Sequence, residues 1–207
     1  MINYILDTNL FFNMEPGLGL GADTQTVVKE TTKLMADATR NKSAQFYMPP
    51  RVVDEFIGFF DNEQREEEWV KDFLARINIK APSINQQTFP AATFYRLVDD
   101  IRLRSYRGLT IAEEELKQAA STMMGKEVVD KKGFEMSVGP IVKGLRARYR
   151  QATRHGFLDS VADLDIITLA AEVDGFVVSC DEGVIVWARE FGVKELPAHL
   201  FAKRVRL

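Results

Sequence analysis

Asp159 and Asp163 stand four residues apart where the sequence reads as the start of a helix, so both carboxylates fall on one helical face. Like charges on adjacent turns repel and mildly destabilise a helix. A divalent cation between them reverses that sign. Two further acids, Asp7 and Asp181, follow short apolar runs at 4–6 and 176–179 that read as buried strands. Ligands in open α/β sheets gather at the carboxyl ends of strands. Asp7, Asp159, Asp163 and Asp181 are therefore expected to meet around metal, with Glu55, Asp165 and Glu182 as outer candidates. Asp165 follows Asp163 by two residues, which turns it to another face. Phosphodiester hydrolysis suits such a cluster, because it needs a water made nucleophilic and a leaving oxygen stabilised. Each acid also has a plain structural alternative. Asp159 or Ser160 can cap one helix, and Asp181 the next.

The nature of the cation follows from what the chain lacks. Cys180 is the single cysteine and His155 and His199 are the two histidines, which argues against a zinc site and excludes an intrachain disulfide. Oxygen donors point to a hard cation, Mg²⁺, with Mn²⁺ as a substitute. The single cysteine fits a reducing cytoplasm. Strand-like sequence begins at once, so no signal peptide is expected, and no apolar run reaches the ~20 residues of a membrane span.

Charge is segregated along the 207 residues, and the net value of −3 hides this. Lys143, Arg146, Arg148, Arg150 and Arg154 crowd the segment before Asp159. Arg146, Arg150 and Arg154 recur every four residues and share a helix face, with Lys143 nearly on it. A basic stripe beside an acidic metal cluster suits contact with an RNA backbone. The alternative is a solvated face, or salt bridges to a neighbouring acidic helix. Arg102, Arg104 and Arg107 form a weaker set.

The elements that must carry these groups follow an α/β rhythm at both ends. Strands are expected at 3–6, 44–48, 77–80 and 176–179, with a short final one within 197–207. Helices are expected from Asp23 or Thr24 to Arg40, and over 51–60, 63–77, 160–173 and 181–191. Gly192 is placed to end the last of these. Between 82 and 155 the pattern changes to helices at 88–107, 110–125 and 134–154, with Gly108 and 131–133 as breaks. Thr110 with Glu113 matches a capping box. The expected organisation is an α/β sheet domain over 1–81 and 156–207, interrupted by a helical insertion at 82–155. The insertion is expected to serve substrate contact or self-association.

An apolar strand ending in Asp7-Thr8-Asn9, a Glu on an early helix, and Asp163 opening a helix and strand that end in Ser179-Cys180-Asp181 together resemble a PIN domain. That resemblance implies a metal-dependent ribonuclease with a central parallel sheet, its core acids at Asp7, Glu55, Asp163 and Asp181. The added Asp159, the helical insertion and the run SCDEGVIVWAREFGVKEL resemble, over essentially the whole chain, the minimal protein-only RNase P family. These are the homologs of Aquifex RNase P, formerly labelled RNA ligase partner proteins. The resemblance implies a PIN-like three-layer fold with a protruding helical hairpin. It implies homo-oligomers, dimers assembling into a ring or star, and removal of the 5′ leader of precursor tRNA. The family's essential acids fall on Asp7, Asp159, Asp163 and Asp181, and Asp165 also sits where the family carries an acid. Two other readings stay open: a toxin-like PIN ribonuclease acting on other RNA, and a non-catalytic RNA-binding partner of an RNA-processing enzyme.

Overall fold

The computed structural model describes residues 1–12, 19–125, 130–154, 156–158 and 160–206. In chain order the elements are β1 (Ile2–Leu6), α1 (Asn9–Phe12), α2 (Thr24–Arg40), β2 (Ala44–Met48), α3 (Pro50–Gly58), α4 (Asn62–Glu66), α5 (Glu68–Leu74) and β3 (Asn78–Ile79). Then come α6 (Ala91–Met123), α7 (Lys131–Arg154), α8 (Val161–Glu172), β4 (Phe176–Ser179), α9 (Glu182–Glu190), β5 (Lys194–Pro197) and α10 (Ala198–Val205). The chain divides into two units, one of residues 1–90 and 158–207, the other of residues 91–157. No helix of the described residues is long and apolar enough to cross a membrane.

The first unit is a five-stranded sheet in the order β3-β2-β1-β4-β5, and every pairing is parallel. Strands covered on both faces read as apolar runs without alternation, as the central strands β1 and β4 do. Tyr4, Ile5 and Leu6 on β1 are almost fully buried, as are Val177 and Val178 on β4. Helix α8 packs on β1 and β4 and touches α3 and α9, while α2 packs on β2, α5 and α10. The order reverses between β1 and β4, the point where open α/β sheets place their ligands. At that point β1 and β4 end level, Leu6 opposite Val178, and the Asp7 N–H closes the ladder on the Val178 carbonyl at 3.0 Å.

Local chemistry fixes several boundaries. Asp23 caps α2 through the Thr26 N–H, and Gly192 takes φ +74° just past α9. At the turn before β4, Asp174 adopts φ 49° and Gly175 lies against Asn3 and Ile5, where a Cβ would meet Ile5 Cδ1 at 2.5 Å. The helix expected over 63–77 is two helices, because Glu67 is extended at ψ 137° between α4 and α5. The final strand expected within 197–207 lies earlier, at β5, and α10 follows it. Lys194–Pro197 pairs in parallel with β4 and forms one edge of the sheet.

The second unit is an antiparallel pair of long helices, α6 and α7. Two helices expected here are one. Gly108 does not break α6; a Cβ there would meet the Tyr149 ring at 2.7 Å, so its bare Cα lets α6 and α7 approach. Thr110 is interior and donates its hydroxyl to the Tyr106 carbonyl at 3.1 Å, and does not cap. Gly133 belongs to the first turn of α7, its N–H bonded to the Asp130 carboxylate at 2.8 Å.

Candidate active site

Asp7 leaves the carboxyl end of β1 and is 3% exposed. Its Oδ2 accepts the Ser179 hydroxyl at 2.5 Å and the Asn9 side-chain amide at 3.2 Å. Its Oδ1 accepts the Thr8 hydroxyl at 3.3 Å and the Asn9 backbone N–H at 3.4 Å. Ser179 ends β4, and its hydroxyl oxygen also accepts the Asp181 N–H at 2.8 Å. One hydroxyl thus ties Asp7 to the backbone of Asp181. Burial pushes the Asp7 carboxyl above the usual carboxylate range, Ser179 and Asn9 pull it back, and the Asp181 charge adds to the push.

Asp181 caps α9, its Oδ1 accepting the Gly183 N–H at 2.6 Å and the Val184 N–H at 3.2 Å. The capping role weighed for it is therefore present, and it fixes the carboxylate beside Asp7. Glu55 lies one turn into the exposed side of α3, on the other flank of β1. Its carboxyl is also raised, by burial first and then by the Asp7 charge, against a hydrogen bond with Thr8. Glu182 is exposed in the first turn of α9.

Ser160 caps α8, its hydroxyl accepting the Asp163 N–H at 3.0 Å. Asp163 is half-buried in the first turn of α8. The helix runs back over β1 into β4, so this turn stands at the carboxyl end of the strands, the side of Asp7. Asp159 lies outside the described residues, as does His155. Asp165 is 5% exposed, and its Oδ2 accepts from Arg51 Nη1 at 2.6 Å. That pair joins α8 to the first turn of α3.

Among the described residues, no three Asp, Glu, His or Cys side chains gather tightly enough to hold a metal ion by themselves. The chemistry of the donors nevertheless fits a hard cation. Asp7 is buried and raised, with the like charge of Asp181 adding to the push, and its own charge raises Glu55 in turn, an arrangement that positive charge relieves. The donors are all oxygen.

The helical unit carries the basic stripe. Lys143, Arg146, Arg148, Arg150 and Arg154 are all exposed on α7. Arg146, Arg150 and Arg154 line a groove of about 400 Å³ together with Tyr149, Thr153 and Ala112. Arg148 is drawn elsewhere: it pairs with Glu114 at 2.5 Å and Glu115 at 2.7 Å, which hold its pKa above the ordinary value and knit α7 to α6. The salt-bridge alternative thus describes Arg148. Arg104 likewise bonds the Thr153 and Gly156 carbonyls at the end of α7.

Sequence reasoning did not single out Ser179, Thr8, Asn9 or Arg51 as site residues. The first three were visible as polar residues flanking Asp7 and Asp181 at strand ends. Arg51 carried no such signal, because its partner is 114 positions away.

Comparison with known proteins covers the same span. A family described as PINc domain ribonuclease matches residues 3–206. The chain is similar to the RNA-free ribonuclease P of Pyrococcus horikoshii, 35% identical over 97% of this chain and 90% of that one. It is 36% identical to the protein of that name from Hyperthermus butylicus, over 92% of this chain and 81% of that one. It is 34% identical to that of Nitrosococcus oceani, over 97% and 92% respectively.

Proposed function

The chain belongs to the PINc-domain ribonuclease family, among the relatives named RNA-free ribonuclease P, and from that premise we propose that it is an endoribonuclease removing the 5′ leader of precursor tRNA without an RNA subunit. The observation that carries the reading is the tie from Asp7 through Ser179 to Asp181 at the point where the strand order reverses.

Asp7, Asp163 and Asp181 would hold Mg²⁺, with Asp159, four positions before Asp163 in the sequence, and Glu55 as further donors. A divalent cation there supplies Lewis acidity and positive charge at the scissile phosphate. The residues of the chain do the positioning. Ser179 and Asn9 fix the Asp7 carboxylate, and the N-cap bonds fix Asp181. Hydrolysis leaves a 5′-phosphate on the tRNA and a 3′-hydroxyl on the leader. Arg146, Arg150 and Arg154 present a groove of the right charge for the RNA backbone. The exposed apolar residues Phe94, Tyr95, Val98, Tyr106 and Leu109 on α6 support self-association, in the form of dimers building a ring or star.

The test is purified protein incubated with precursor tRNA and Mg²⁺, with the cut mapped by primer extension. One cut at the mature 5′ end, lost with a chelator and with Asp163→Asn, is the expected result. Cuts elsewhere would make it a ribonuclease of another target. Binding without cleavage would make it a non-catalytic RNA-binding partner.

A further inference from the structure

The Arg51–Asp165 pair sets a cation among acids. Asp165 is 5% exposed, and a buried polar group is stable only when hydrogen-bonded. Arg51 Nη1 supplies it at 2.6 Å, yet the Arg51 side chain stays 62% exposed. A guanidinium carries five N–H groups in a planar fork, so one contact anchors it and leaves donors for a second partner.

Two facts place that fork at the active site. Asp165 lies in the N-terminal part of α8, the end that stands at the carboxyl ends of the strands, and Arg51 is in the first turn of α3, one turn before Glu55. Residues four apart on a helix share a face, and the Glu55 carboxyl feels the charge of Asp7. The fork therefore lies on the carboxyl-end side of the sheet, beside the acid cluster. A fixed positive charge there weakens cation binding at its own position. It suits an anion, and the planar fork matches a phosphate in particular.

We propose that Arg51 binds a backbone phosphate of the RNA next to the scissile bond, and that Asp165 is the positioning residue that anchors it there. This inference rests on the ribonuclease reading and adds a substrate contact to it. Asp165 is thereby given a task other than holding a cation.

Single-turnover cleavage of precursor tRNA is measured against enzyme concentration at several salt concentrations, for the natural protein, Arg51→Met, Arg51→Lys and Asp165→Asn. Melting temperatures are recorded alongside. Arg51→Met is expected to raise the half-saturating concentration about tenfold. It flattens the log–log salt dependence by roughly 0.7–0.9, the value for one lost phosphate contact. Arg51→Lys restores the salt slope but only part of the affinity, because it keeps charge and loses the fork. Asp165→Asn shifts half-saturation in the same direction, and adding it to Arg51→Met costs nothing further in half-saturation.

A lower melting temperature for Arg51→Met, with half-saturation and salt slope unchanged, would overturn the proposal and leave a purely structural tether. Loss of cleavage at saturating enzyme in Asp165→Asn, with an unchanged slope, would overturn it equally. Should the natural protein not cleave precursor tRNA, the ribonuclease P reading fails first. Binding of the same RNA over the same salt series then decides Arg51 separately, by the same change in slope.

Discussion

The Ser179 hydroxyl stands 2.5 Å from Asp7 Oδ2 while accepting the Asp181 N–H at 2.8 Å, so one small side chain sets two of the four candidate acids. Ser179→Ala removes both bonds without adding bulk. Cleavage by this variant is expected to fall about 10- to 100-fold, the usual cost of losing an outer partner of a ligating group. The loss in stability is roughly 1–2 kcal/mol. Single-turnover rates and urea melts check the two effects.

Asp7 is raised by burial, so its folded state holds a proton more tightly than its unfolded state. Such a group favours the fold fully below the unfolded pKa, and that contribution is lost as pH rises through the folded pKa. At pH 7 without divalent ions, Asp7→Asn is therefore expected to raise the melting temperature. The difference shrinks as pH falls through the raised range. Added Mg²⁺ is expected to stabilise the natural protein and not the variant. Cleavage by the variant drops at least roughly a hundredfold. Calorimetry across pH and Mg²⁺ concentration tests each part.

Asp7 and Glu55 are both raised, Asp7 chiefly by burial, and Glu55 by burial and then by the Asp7 charge. The acid limb of the pH–rate profile is then expected above the ordinary carboxylate range. Glu55→Gln is expected to move that limb toward lower pH by removing one like charge. An unmoved limb would uncouple Glu55 from the site.

The helical unit separates its arginines by task. Arg148→Ala is expected to loosen α6 from α7, seen as a lower melting temperature, with the salt dependence of RNA binding retained. Arg146→Ala and Arg150→Ala, in the groove, are expected to do the reverse: each flattens the salt slope by roughly 0.7–0.9 with little change in melting.

Gly108→Ala is expected to destabilise that unit by roughly 1–3 kcal/mol, since its Cβ would sit 2.7 Å from the Tyr149 ring. Combining it with Tyr149→Ala should recover part of the loss. Circular dichroism melts of the single and double variants measure that recovery.

Much of the fold was legible because local rules acted alone. Ala44–Met48 and Phe176–Ser179 are apolar runs between turn residues, and Asp23 and Gly192 mark helix ends by their own chemistry. Gly108 and Thr110 misled because their roles are set by partners elsewhere, a facing tyrosine ring and the preceding helical turn. The candidate acids Asp7 and Asp181 could be named from their places at strand ends. That Ser179 joins them could not, because a hydrogen bond across 172 residues leaves no trace in spacing. Arg51 was invisible for the same reason.

Strand β1 and Asp7 leave the ribosome well before β4 and Ser179, which lies 172 residues after Asp7. A nascent chain short of residue 176 has β1 without one of its two neighbours and Asp7 without its hydroxyl. In a chain synthesised amid ribosomal and messenger transcripts, the candidate site thus stays unbuilt until β4 has been made.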